Sequence, residues 1–230
     1  KTHSITGWNY GYWSGGNGLS NFRRIDFSND TEWQNRASIP SAVTQSTRPY
    51  TTFGSPTKGY FVAPGNQTMQ TGAGGNMLAF SYASDTSIVV PGGSTSMEGP
   101  QPYAQSAFNT NYAYTASNSY IERHDFSNDT GTGIRKHTLG DVRNNSGVTA
   151  NQSYWYMGGG GYPAKSTMER LDFSNDTAAL APKGPLTVAR GAFAGATGNA
   201  DYGWWFGASA NNTGWTGSGS LVDRVDYSND

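Results

Sequence analysis

Hydrophobic and polar side chains alternate in four short stretches of this chain. In RIDFSNDT, residues 24–31, Ile25 and Phe27 fall on one side, and Arg24 and Asp26 fall on the other. The same order returns as RHDFSNDT, RLDFSNDT and RVDYSND, beginning at Arg123, Arg170 and Arg224. A period of two residues predicts β-strands. The Ser-Asn-Asp that follows predicts a turn, because these side chains hydrogen-bond to their own backbone.

We call this stretch the phrase, and its spacing indicates five repeats. Its first aspartate stands at Asp26, Asp125, Asp172 and Asp226, at intervals of 99, 47 and 54 residues. A degenerate copy, AFSYASDT at residues 79–86, divides the long interval, with Ala79 in the Arg place and Ser81 in the Asp place. A period of about 46 residues is typical of propellers, solenoids and arrays. The predicted repeats are 1–40, 41–91, 92–138, 139–182 and 183–230.

An aromatic stretch precedes each phrase, for example YGYWSGG from Tyr10, YWYMGG from Tyr154 and YGWWFGA from Tyr202. Before it, some repeats have a strand of small residues, clearest in GPLTVARGAFAGATGN at residues 184–199. No repeat contains a convincing helical period. We therefore predict an all-β fold of short strands joined by tight turns.

The Arg and first Asp of the phrase form a predicted ion pair. Residues two apart on a strand lie on the same face, and the degenerate copy loses both charges together, as Ala79 and Ser81. We expect each of Arg24, Arg123, Arg170 and Arg224 to lie near the Asp of its own phrase or of an adjacent repeat.

Composition excludes several classes of partner. Charged residues make up 13% of the 230 residues and the net charge is −1, which predicts no nucleic-acid partner. No run of about 18 apolar residues is present, so we predict no membrane insertion. The chain has no Cys, so it forms no disulfide and no thiolate metal site.

The first repeat resembles the kelch repeat. It combines the doublet Gly15-Gly16, Asp26, Trp33 after the turn, and Arg48 before a small-residue strand. Later repeats depart from the pattern, with Ile88, Ile134 and Leu180 near the Trp position. The resemblance implies blades of a β-propeller. We expect residues 1–230 to form one five-bladed domain, closed by repeat 5 packing on repeat 1; the alternative is an excerpt of a longer array.

The sequence RLDFSNDT followed by GPLTVARGAFAGATGN also resembles tandem repeats in virion proteins of marine bacteriophages, where similar units occur in tail and appendage proteins. This resemblance implies a structural or host-contacting role in a virion or outside a cell. The expected partners are other virion or fibre proteins, further copies of the chain, and host-surface glycans.

Residues with metal or redox chemistry are sparse. Oxygen side chains at Asp26, Ser28 and Asp30 have the spacing of a calcium loop, but no Gly or closing Glu follows, and a turn explains them better. Galactose oxidase, which shares the kelch propeller, needs a Cys cross-linked to a Tyr, and Cys is absent here. The three histidines are scattered along the chain, with His3 in repeat 1 and His124 and His137 in repeat 3. We predict no cofactor.

The predicted ligand-binding residues are aromatic and lie outside the repeated stretches. Trp215 lies in NNTGWTGSG, between glycines, where Asn211, Asn212 and Thr213 supply amides and a hydroxyl. An exposed indole beside such groups suits stacking on a sugar. Trp8, which precedes its strand, is a second candidate.

Two other functions stay open. A carbohydrate-active propeller enzyme, an oxidase or a glycosidase, needs a cluster of carboxylates or metal ligands. Few acids lie clearly outside the repeated stretches: Asp201, Asp141 and Glu98. A purely structural fibre subunit needs no site at all. We expect a non-enzymatic recognition or structural module.

Overall fold

The protein is built from short β-strands. The computed structural model describes residues 3–6, 10–14, 21–29, 34–38, 51–63, 76–84, 88–94, 104–116, 120–139, 141–143, 145–191, 194–207 and 220–230. These ranges contain nineteen strands and two short 3-10 turns, and no α-helix. The predicted all-β fold class is confirmed.

The strands form five sheets. The first contains β1 (His3–Thr6), β2 (Tyr10–Ser14), β3 (Asn21–Asp26) and β4 (Gln34–Ser38). The second contains β5 (Thr51–Gly54), β6 (Lys58–Ala63), β7 (Asn76–Ser81) and β8 (Ile88–Ser94). The third contains β9 (Gln105–Phe108), β10 (Tyr112–Ala116), β11 (Tyr120–Asp125) and β12 (Ile134–Thr138). The fourth contains β13 (Gly147–Ala150), β14 (Tyr154–Gly158), β15 (Met168–Asp172) and β16 (Ala181–Lys183). The fifth contains β17 (Ala194–Gly198), β18 (Tyr202–Gly207) and β19 (Val222–Asp226).

Each sheet is a meander, in which strands that follow each other along the chain are hydrogen-bonded neighbours. Short turns suffice to join such strands, which agrees with the many Gly, Asn and Ser residues between them. One sheet falls in each predicted repeat, although β8 and β16 run slightly past the predicted boundaries. That the five repeats form a single propeller domain stays a prediction.

The chain divides into two compact units. One consists of Lys1–Pro102, Thr110–Ala113 and His124–Ile134, and the other of Tyr103–Asn109, Tyr114–Arg123 and Arg135–Asp230. Sheets 1 and 2 belong to the first unit, sheets 4 and 5 belong to the second, and strands of sheet 3 contribute to both. Within the first unit β1 contacts β5, and within the second β13 contacts β9 and β17. The first strands of neighbouring sheets therefore meet within each unit, between sheets 1 and 2 in the first and between sheets 3, 4 and 5 in the second.

Strand register places the phrase at equivalent positions in the repeats. The first-Asp position faces the start of the aromatic strand in the pairs Tyr10–Asp26, Lys58–Ser81, Tyr154–Asp172 and Tyr202–Asp226. The next residue donates its backbone NH to the residue before the aromatic strand, at 2.9–3.0 Å, in Tyr82, Phe126, Phe173 and Tyr227. Ser81 therefore occupies the aspartate position of the degenerate repeat, as predicted.

Glycines in β13 and β14 make room for the large ring of Trp205. Trp205 is fully buried in the second unit, and its indole Nε1 donates a hydrogen bond to the carbonyl of Gly147 at 3.0 Å. A Cβ atom on Gly147 would lie 2.7 Å from the indole, and one on Gly158 would lie 2.8 Å from it. Any larger residue at these positions would displace the ring.

Candidate functional site

The first aspartate of each phrase closes its own turn. Oδ1 of Asp172 accepts hydrogen bonds from the backbone NH of Ser174 at 2.8 Å and from its hydroxyl at 2.7 Å. The same two bonds are made by Asp26, Asp125 and Asp226. In the degenerate repeat Ser81 Oγ accepts a longer bond, 3.3 Å, from the NH of Ala83. The predicted turn at Ser-Asn-Asp is confirmed. It is capped by the first Asp of the same phrase, which binds the Ser two residues later.

The aromatic residue of the phrase joins neighbouring repeats. It stacks against a tyrosine from the aromatic strand of the preceding repeat. The ring centroids are 5.4 Å apart for Tyr12–Tyr82, 5.5 Å for Tyr60–Phe126, 4.8 Å for Tyr114–Phe173 and 4.6 Å for Tyr156–Tyr227. The interplanar angles are all 21° or less. We call each of these contacts a junction; the repeated phrase builds the same one four times.

The final aspartate of the phrase forms ion pairs with cationic side chains of the preceding repeat. Asp176 accepts hydrogen bonds from Arg123 at 2.7 Å and from the Tyr114 hydroxyl at 2.9 Å, and Lys136 Nζ lies 3.2 Å away. Asp230 likewise accepts from Arg170 at 2.8 Å. Burial by itself raises the pKa of Asp176, but the bonds from Tyr114 and Lys136 and the charge of Arg123 outweigh it and lower that pKa. The carboxylate is therefore ionised at neutral pH.

The degenerate repeat keeps this connection with a different cation. Repeat 2 has Ala79 where the others have Arg, and Lys58, at the start of the aromatic strand, contacts the carboxylate of Asp129 instead. The Tyr60 hydroxyl also donates to Asp129, at 3.1 Å. A positive charge therefore reaches the final aspartate at this junction from another strand.

The predicted pairing of Arg with the first Asp differs from the observed ion pairs. Arg170 lies close enough to Asp172 to help lower its pKa, but the bonds from Ser174 are the larger cause. The guanidinium of Arg170 instead stacks over Tyr154, 4.1 Å from the ring centroid, and reaches Asp230 in the next repeat. The first Asp is already bound by its turn, so the Arg pairs forward. The phrase Arg does contact an Asp of an adjacent repeat, but that residue is the final Asp of the next phrase and not the first.

A second kind of ion pair lies inside repeats. Arg190 is fully buried, and its guanidinium contacts the Asp223 carboxylate at 2.6 Å and the carbonyls of Gly207 and Leu221. In repeat 4 Arg143 contacts Glu169 at 3.3 Å and the Thr167 carbonyl at 3.1 Å. The small-residue stretch at residues 184–199 contains Arg190, but the sequence pattern did not identify a partner for it or for Arg143. The signal was an acid directly before the phrase Arg in both repeats.

His124 is a buried strand residue. It occupies the place of Ile25 and Leu171, is 3% exposed and stacks on Phe53 with centroids 5.2 Å apart. Burial lowers the pKa of His124 to about 4. His137 lies in β12, and of His3 only the strand backbone is described. In the described part of the chain, no group of three or more His, Cys, Asp or Glu side chains could hold a metal ion.

All five predicted ligand-binding residues lie outside the described residues: Trp215, Asn211, Asn212, Thr213 and Trp8. Asp30 of the candidate calcium loop and Glu98 also lie outside them. Asp26 and Ser28 are described, and they bind each other in the turn. Residues 208–219, which include Trp215, connect β18 to β19.

The equivalent connection in repeat 4, between β14 and β15, is described. It displays Tyr162 with 76% of its surface exposed. Nearby, Lys165 Nζ contacts the carboxylate of Asp141 at 2.6 Å, and Asp141 keeps 63% of its side chain exposed. A Cβ atom on Gly161, the residue before Tyr162, would lie 3.1 Å from Lys165 and 3.3 Å from the carbonyl oxygen of Val142, the residue after Asp141. The loop thus brings the exposed ring and the charged pair into one region, which is a candidate binding surface in the described residues, and we call it the Tyr162 surface.

Comparisons with known proteins leave the family undetermined. No protein-family model matches the chain, and no curated protein matches it significantly. Among the described residues, no helix has the length and apolar character needed to cross a membrane.

Proposed function

We propose that the chain is a non-enzymatic recognition module of a virion or of an extracellular structure, which binds host-surface glycans through the loops of its repeats. The kelch-like resemblance and the five meander sheets support a five-bladed propeller as its architecture. Further copies of the chain and other virion or fibre proteins are the proposed structural partners.

This proposal is supported by the contrast between the repeated phrase, which has a structural role, and the loops, which differ between repeats. The phrase residues are used in turns and junctions, as with Asp172 in its turn and Asp176 at its junction. The connections between the second and third strands differ in length and composition from repeat to repeat, and those of repeats 4 and 5 contain Tyr162 and Trp215. A constant scaffold with variable loops is the arrangement that recognition proteins use.

Glycan binding is tested with the whole chain on a printed array of neutral and anionic oligosaccharides, alongside Trp215→Ala. We expect the parent to bind a subset of glycans and Trp215→Ala to lose most of that binding while assembling normally. If Trp215→Ala instead breaks assembly, Trp215 is an interface anchor. A parent that binds no glycan and no host cell would leave a purely structural fibre role.

The architecture is tested by electron microscopy of the purified chain. We expect a closed ring of five blades. The support is that the first strands meet between sheets 1 and 2, 3 and 4, and 4 and 5, and that four junctions share one geometry. An open rod or arc would support the alternative of an excerpt from a longer array.

The enzyme alternative is tested by incubating the chain with polysaccharides and measuring reducing ends and hydrogen peroxide. Glycosidase action would produce new reducing ends, and oxidase action would produce peroxide. We expect neither product above a protein-free control.

A further inference from the structure

We propose that the Tyr162 surface is a subsite for a neutral sugar, a proposal that rests on the glycan-binding function proposed above. It comprises the ring of Tyr162, the carboxylate of Asp141 and the ammonium of Lys165. Tyr162 and Lys165 lie in the connection between the second and third strands of repeat 4, and Trp215 lies in the equivalent connection of repeat 5.

The loop that presents Tyr162 is held by backbone hydrogen bonds. Gly160 donates its NH to the carbonyl of Arg190 at 2.7 Å, and Lys165 donates to the carbonyl of Gly160 at 3.1 Å. Arg190 in turn donates its backbone NH to Lys165 at 2.8 Å. Because the Arg190 side chain is fully buried on Asp223, the loop is tied to the interior of the second unit. An ordered loop loses less entropy on binding than a mobile one.

Three successive glycines shape this loop. Gly159, Gly160 and Gly161 have φ values of 69°, 82° and 83°, which favour glycine. A Cβ atom on Gly160 would lie 2.9 Å from the backbone of Ser146, and one on Gly161 would lie 3.1 Å from Lys165. The glycines therefore bring the backbone against Ser146 and Lys165, directly before the exposed Tyr162.

The charges of this surface suit a neutral polar ligand. Its carboxylate and ammonium are paired at 2.6 Å, so their charges nearly cancel and a strongly charged ligand gains little. The hydrogen bond and charge of Lys165 lower the pKa of Asp141, so its carboxylate is ionised and accepts hydrogen bonds. Asp141 is largely exposed, and its remaining lone pairs can accept bonds from the hydroxyls of a sugar.

The apolar area fits a sugar better than a protein. Besides Tyr162, the exposed apolar side chain here is Val142, whose carbonyl lies against Gly161. One ring and one valine are far from the roughly 1,000 Å² that a stable protein interface buries. An aromatic face of this size matches the C–H face of one pyranose, and Asp141 supplies the polar edge.

The test measures binding of neutral oligosaccharides to the whole chain by saturation-transfer NMR and calorimetry. The probes are β-linked glucose, galactose and mannose oligomers and their sulfated counterparts. We expect Tyr162→Ala to weaken binding of a neutral probe by about tenfold or more, and Tyr162→Phe to keep it. Asp141→Asn should also weaken binding, since the amide accepts fewer hydrogen bonds than the carboxylate. Phe108→Ala, which removes an exposed ring elsewhere, is the control and should bind like the parent.

The outcomes separate this proposal from the function it rests on. If the parent binds glycans and Tyr162→Ala binds them equally well, the subsite is wrong while glycan recognition stands. Preference for sulfated probes, or a change only in self-association of Tyr162→Ala, would also overturn the neutral-sugar subsite. If the parent binds no probe, both proposals fail. Equal thermal unfolding of parent and variants checks that folding is unchanged, as expected for a side chain that is mostly exposed.

Discussion

At the scale of single residues, the two aspartates of one phrase bind different partners. Asp172, the first, is bound by the NH and hydroxyl of Ser174, and these bonds lower its pKa. Asp176, the final one, is bound by groups of the preceding repeat. Strand alternation predicts the face of the first aspartate. It cannot identify the partner of the second, which lies 53 residues away at Arg123.

A signal for the final aspartate was nevertheless present in the sequence. The degenerate repeat loses the Arg and the first Asp, but it keeps the final one, Asp85. All five repeats therefore have an acid at this place, as Asp30, Asp85, Asp129, Asp176 and Asp230. A position kept when its neighbours change indicates the more constrained contact.

His124 predicts a pH dependence that belongs to one residue. Its pKa is about 4 in the fold and 6.5 unperturbed, so the unfolded chain binds more protons between these values. Stability should therefore be complete above about pH 6.5 and fall by about 3 kcal/mol as the pH drops to about 4. His124→Phe, which copies Phe80 of repeat 2 and keeps a ring against Phe53, should remove this slope. The measurement is urea unfolding at pH 7, 6, 5 and 4.

Leu171→Phe is the matched control for the histidine variant. It places the same ring at the same strand position in repeat 4, so its effect on stability should not vary with pH. A parent whose stability is flat from pH 7 to 4, or a His124→Phe slope equal to that of the parent, would contradict the prediction.

At the scale of strands and sheets, the sequence predicts much of what is observed. Alternation and the turn residues correctly place a strand followed by a turn in each phrase, as in β3, β15 and β19. Each of these strands ends at the first Asp, one residue earlier than alternation predicts, because the Asp caps a turn that begins at the next residue. The forward direction of the Arg contacts could not be predicted, because it depends on which sheet packs next. The pairing of Arg190 with Asp223 likewise depends on burial.

The ion pair that accompanies the Tyr114–Phe173 junction predicts energetic coupling between Arg123 and Asp176. Both side chains are mostly buried, with 21% and 9% exposed, so removing one partner leaves the other poorly solvated. We expect a double-mutant cycle of Arg123→Ala and Asp176→Ala to give a coupling of about 2 kcal/mol. A parallel cycle of Arg123 with Asp125 should give a much smaller value, since Asp125 is bound by its own turn.

Arg135 supplies the control, because it is an exposed arginine of the same repeat as Arg123. Its guanidinium stacks over Tyr120, 3.8 Å from the ring centroid, and it forms no ion pair with any described residue. Arg135→Ala should therefore cost less than about 1 kcal/mol. A loss as large as that of Arg123→Ala, or stronger coupling of Arg123 to Asp125 than to Asp176, would show that the forward junction is misassigned.

At the scale of the whole molecule, the two compact units contain different titrating groups. His124 belongs to the first unit. Described carboxyls whose pKa is lowered lie mainly in the second, at Asp141, Asp172, Asp176, Asp223 and Asp226. A lowered carboxyl pKa stabilises the fold above the unfolded value of about 3.9, and this stabilisation is lost as pH falls through the folded value. The histidine acts above that range.

Acid should therefore weaken the two units in separate pH windows. Between about pH 6.5 and 4, amides of β5 to β7 should lose protection from hydrogen exchange, because the unfolded form of the first unit takes up a proton at His124. Below about pH 4, amides of β14 to β19 should follow, as the carboxylates at their turns and junctions are protonated. The measurement is exchange by mass spectrometry, with each rate divided by its intrinsic rate at that pH. In His124→Phe the first window should disappear and the second should stay. Loss of protection in all strands together, within one window, would show instead that the molecule opens as a single cooperative body.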